Sequence, residues 1–101
     1  MQEKKLFVVA ESFSLPGLGV LLIPAETGPE LRQLALHTAL KVQLHAHGSP
    51  PAAAVASVEE IARSGQPETR ALLLTHEGAT PVPPGTAVWG TGQEAAWEEL
   101  L

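Results

Sequence analysis

Residues 13–24 read Phe13-Ser-Leu-Pro-Gly-Leu-Gly-Val-Leu-Leu-Ile-Pro24, two extended pieces joined through a glycine-rich corner. Pro16 fixes its φ near −65° and has no N–H to donate, and Gly17 and Gly19 can adopt the positive φ that reverses an extended chain. Val20–Ile23 is then a short apolar run bounded by Gly19 and Pro24, which predicts a buried strand.

Upstream, Lys4 and Lys5 lead into Leu6-Phe-Val-Val-Ala10, whose Phe and Val content favours a strand. Strict alternation would put Phe7, Val9 and Phe13 on one side, with Phe13 in the core, and Leu6, Val8 and Ala10 on the other. Downstream, Thr27-Gly-Pro-Glu30 is a turn cluster followed by two open readings. Pro29 at a first helical position suits a helix carrying Leu31, Leu34 and Ala35. From Leu34 to Ala46, however, the even positions are mostly apolar and the odd ones mostly polar, which predicts an extended strand bent near Thr38.

Gly48-Ser-Pro-Pro51 ends that strand, because prolines cannot donate to a ladder. Ala52–Ala56 suits a helix by propensity, although two prolines precede it. Gly65-Gln-Pro-Glu68 is a further turn, Arg70–Thr75 a compact strand, Thr80-Pro-Val-Pro-Pro-Gly85 a stiff loop, and Gly85–Trp89 a last strand. Trp97, Leu100 and Leu101 recur at helical spacing and predict a short terminal helix.

The order of these motifs resembles the β-barrel second domain of elongation factor Tu and related translation factors. There, a Phe-x-Ile-x-Gly-x-Gly-x-Val corner opens the barrel, and counterparts of Val55-x-Ser57-Val58-Glu59, of the leucine-rich 71–74 strand and of Gly85–Trp89 follow. The likeness spans about residues 6–89. It implies an all-β domain, a six-stranded closed or nearly closed barrel over residues 1–92, with a helical tail over residues 93–101. It also decides residues 55–61 in favour of a strand. In that family the barrel holds the terminal adenosine of aminoacyl-tRNA, and the corresponding walls here are Leu15, Gly17, Leu21, Glu59 and Leu73 or Leu74. Two family arginines are replaced, one by Leu18 and one by Ala62, with Arg63 one place further on.

Composition narrows the function. A net charge of −5 with six scattered Lys and Arg argues against phosphate-driven nucleic-acid binding, which depends on clustered cations. With no cysteine there is neither a disulfide framework nor a thiolate site. The run at Leu6–Ala10 is too short for a signal-peptide core and no run reaches membrane-spanning length, so a cytoplasmic location without membrane contact is expected. The serines lie outside any Gly-x-Ser-x-Gly elbow and no phosphate loop is present, so neither serine hydrolysis nor GTP hydrolysis is expected.

The expectation is therefore a non-enzymatic binding module without cofactor that contacts another protein, with Trp97, Leu100 and Leu101 as a candidate contact stripe and a homo-oligomer left open. One alternative is recognition of a tRNA or nucleotide end at the glycine corner. The other is a small metal-dependent enzyme using His45 and His47, with His37 on the same polar face and His76 or Glu77 completing the ligand set.

Overall fold

The computed structural model describes residues 4–26, 28–62, 64–76 and 78–94. Six strands run in chain order: β1 Lys4–Leu15, β2 Gly19–Pro24, β3 Ala39–His45, β4 Ala52–Ile61, β5 Thr69–Leu74 and β6 Ala87–Glu94. Every pairing is antiparallel, and the sheet closes on itself in the order β1-β2-β5-β4-β3-β6. All six expected strands are present. Closure leaves no unpaired edge in this ladder, removing the usual template for strand addition.

β1 makes closure possible because it serves two partners in succession. Residues 4–8 pair with β6 and residues 9–15 with β2, and the register slips between Lys5 and Phe7 and again between Val9 and Glu11. Each slip is a bulge, an extra residue that bends the strand and reverses which face the following side chains take. Leu6 and Phe7 are consequently both buried, and beyond Ala10 the parity inverts. Phe13, expected in the core, instead lies outward and is 45% exposed.

The core is aliphatic. Leu22, Val58, Leu72 and Val88 are fully buried within one cluster that also takes Val9, Val20, Val42, Ala56 and Leu74. A one-turn helix, α1 Pro29–Arg32, inserts Leu31 into the same cluster, with Leu34 packed beside it. The helix stops at once because residues 37–38 are drawn onto β4: the His37 N–H donates to the Val58 carbonyl at 2.6 Å and the Val58 N–H to the Thr38 carbonyl at 2.9 Å. Both readings of residues 29–46 are thus partly realised. The strand starts only at Ala39, and Leu36, expected on its apolar side, is 40% exposed.

The proline loop before β6 is fastened to β1 rather than free. Ser12 Oγ donates to the Val82 carbonyl at 2.8 Å and accepts from the Val82 N–H at 3.0 Å, and Val82 and Ala79 pack on the core. Gln93 and Glu94, expected in the tail, belong to β6. The rest of the expected terminal helix, with Trp97, Leu100 and Leu101, lies outside the described residues, as do Arg63 and Glu77. No helix among the described residues is long and apolar enough to cross a membrane.

Candidate functional site

In an antiparallel ladder, opposed residues share a face, so the register shows what the barrel presents outward. Phe13 lies opposite Leu21, Leu21 opposite Leu73, and Leu73 opposite Ser57. In the next outward row Glu11 lies opposite Ile23 and Ala71 opposite Glu59, but Ile23 and Ala71 are covered, at 7% and 0% exposure, so the accessible apolar surface is Phe13 with the half-buried Leu21 and Leu73. An apolar sheet face therefore crosses β1, β2 and β5, with Glu11 at one margin and Glu59 at the other. Glu59 is held in place by Ser57 Oγ, which donates to Oε2 at 2.9 Å, and by His37 Nδ1, 3.2 Å from Oε1.

The local sequence explains this face. β3 and β4 alternate buried and partly exposed positions, as a barrel wall requires, whereas Val20–Ile23 and Ala71–Leu74 are apolar on both sides. A barrel standing alone supplies no reason for outward leucines on β2 and β5. This double-sided pattern was the available signal for the face.

At the corner, Gly17 takes φ +79° and Gly19 φ +139°. A Cβ on Gly19 would collide with the Leu74 carbonyl oxygen, so that position accepts only glycine, whereas a Cβ on Gly17 would meet nothing. Leu15, Gly17, Leu18 and His76 are among the residues lining a cleft of about 380 Å³ there. Leu18 is 64% exposed, and the shielded Nδ1 of His76 has no hydrogen-bond partner.

Of the residues assigned by resemblance, Leu15 and Gly17 lie at the corner, Leu21 and Leu73 share the outward row, and Glu59 stands on its margin. Leu74 is only 1% exposed and belongs to the core, because successive residues of β5 alternate inward and outward. Cations do not gather here among the described residues. Arg70 is bound to Glu60 at 3.3 Å in a separate cleft with Arg32 and Glu68, and Lys41 lies on β3, opposite Val55. In that polar cleft Glu68 is held above the ordinary carboxylate range, first by a hydrogen bond with Glu60 and then by its negative charge.

The histidines do not form one strand face. β3 begins after His37 and ends at His45, so His37 precedes it, with φ +69°, and His47 falls in the following turn. His45 packs near Trp89 with ring centroids 5.7 Å apart, and its shielded Nε2 has no hydrogen-bond partner. Among the described residues no group of three His, Cys, Asp or Glu side chains could hold a metal ion.

The chain matches no protein-family model, and neither curated proteins nor solved structures give a significant match.

Proposed function

We propose that the protein is a non-enzymatic binding module, built on a barrel of the translation-factor second-domain type, that contacts another protein through the outward face of β1, β2 and β5. The observation that carries this reading is the row Phe13–Leu21–Leu73, apolar on the outside of strands whose other side already fills the core. Apolar surface grouped in this way, with polar groups at its margins, is the usual mark of a contact site. The barrel type is supported by the motif order from Phe13 to Trp89, with Phe13–Gly19 forming the corner between the first two strands.

Placing a photo-reactive benzophenone at Phe13, with a control at Gln43 on the outer side of β3, tests the reading in native cells. The expected result is a discrete protein adduct from position 13 that is absent from position 43 and lost on Leu73→Thr. Equal labelling from both positions, or an adduct with RNA alone, would contradict it.

A second reading, recognition of an RNA or nucleotide end, is favoured by the corner cleft beside Gly17 and Gly19, where backbone without side chains can lie against a base. It predicts that aminoacyl-tRNA binds better than deacylated tRNA and loses affinity steeply as salt rises. Leu18 and Ala62, standing where the resembling family carries arginine, weigh against it.

A further inference from the structure

We infer that the outward face takes an extended segment of a partner protein in which apolar side chains are interspersed with lysine or arginine. This rests on the protein-contact reading and specifies the chemistry of the contact. Because the ladder is closed, a partner strand has no edge to extend, so recognition must run through side chains lying across the face.

The apolar component would lie along Phe13, Leu21 and Leu73. Beside that row, Ile23, Ile61, Pro24 and Glu11 are among the residues lining a cleft of about 350 Å³. Gln66 and Thr69 line it as well, so the cleft is mainly polar, and it suits a long cationic side chain whose methylene stem lies on the half-buried Ile61 while its head meets Glu11. Glu11 already makes another interaction, but a carboxylate offers about four acceptor positions and can take a further donor. At the opposite margin Glu59 keeps a partly exposed carboxylate, its side chain 27% accessible.

Charge also discriminates between occupants. Eleven acidic against six basic residues give the whole chain −5; Glu11 and Glu59 lie in the outward row, and Arg70, next to Ala71 on β5, is already bound to Glu60. A second copy docked face to face would set these carboxylates near their own counterparts. The chain's own residues 95–101 carry two glutamates and no cation, so they too would bring like charge. A cationic partner is complementary where both of these are repelled.

The test uses two synthetic twelve-residue peptides with identical Leu and Phe positions, interspersed in one with Lys and in the other with Glu. Each is titrated into the full-length, isotope-labelled protein, and backbone amide shifts are followed. The Lys peptide should saturably shift residues 11–13, 21–23 and 71–73 and bind roughly tenfold tighter than the Glu peptide. Leu73→Thr should weaken it, and Glu11→Gln should weaken it while leaving the fold's shifts unchanged. Equal binding of both peptides overturns the charge assignment and leaves the protein-contact reading standing. Failure of both, or tRNA shifting the same amides more tightly than the Lys peptide, overturns the two together. Concentration-dependent dimerisation that protects these residues assigns the face to a second copy and also overturns the inference.

Discussion

At the residue scale, the two corner glycines have different physical requirements despite identical chemistry. Gly17→Ala meets only the backbone penalty of positive φ, about 1–2 kcal/mol. Gly19→Ala adds a collision with the Leu74 carbonyl and should cost more than that, lowering the melting temperature by well over the roughly 4–8 °C expected per kcal/mol at this size. Thermal unfolding of the two variants checks the order, and a larger loss at Gly17 would contradict the corner geometry. Glu68 supplies a pH prediction. Its raised pKa means that the folded state favours its protonated form, so the associated stability is present at low pH and lost as pH rises through the folded value. At pH 7 Glu60 and Glu68 repel each other, and Glu68→Gln should raise the melting temperature slightly there, with the gain fading on acidification. Because Glu68 is exposed the effect is small, and a gain that grows on acidification would reverse the assigned cause.

At the element scale, β1 was the strand least legible in the sequence. Its Phe and Val content identified a strand, but alternation counted from Phe7 placed Phe13 inside, because residue counting cannot see a bulge at Leu6 or Ala10. The same limit applied to residues 34–38, where a regular even-odd pattern hid a chain reversal held by backbone bonds to Val58. β2, β5 and the glycine corner were legible, since short apolar runs beside Gly and Pro leave few alternatives, whereas the alanine-rich start of β4 suited a helix by propensity and only the resemblance decided residues 55–61 as a strand. Ser12 was passed over because its role depends on Val82, seventy positions away in the chain. Ser12→Ala removes both hydrogen bonds that fasten the proline loop and should cost about 1–3 kcal/mol. Amide exchange at Val82 should accelerate in that variant. Unchanged exchange would mean that the loop is held by Val82 packing alone.

At the scale of the whole molecule, a small closed sheet needs only its inward side chains to fold, and outward leucines become informative because stability does not explain them. Of the acceptor-end residues suggested by resemblance, Leu21, Leu73 and Glu59 are on the outward side and Leu74 is in the core, and the outward row also takes Phe13, which that comparison left out. The measurement that tests the central claim most directly is thermal unfolding of two matched variants of adjacent β5 residues, Leu73→Thr facing out and Leu72→Thr facing in. Threonine preserves strand propensity, so the comparison isolates the role of each side chain. Leu72→Thr should cost on the order of 2–5 kcal/mol, the range for truncating a buried leucine, and lower the melting temperature by 10 °C or more. The account predicts that Leu73→Thr stays within about 1 kcal/mol of the parent while losing the position-13 adduct. A loss of stability at Leu73 equal to that at Leu72 would show that the outward leucine serves folding and would contradict the claim that this face exists to meet a partner.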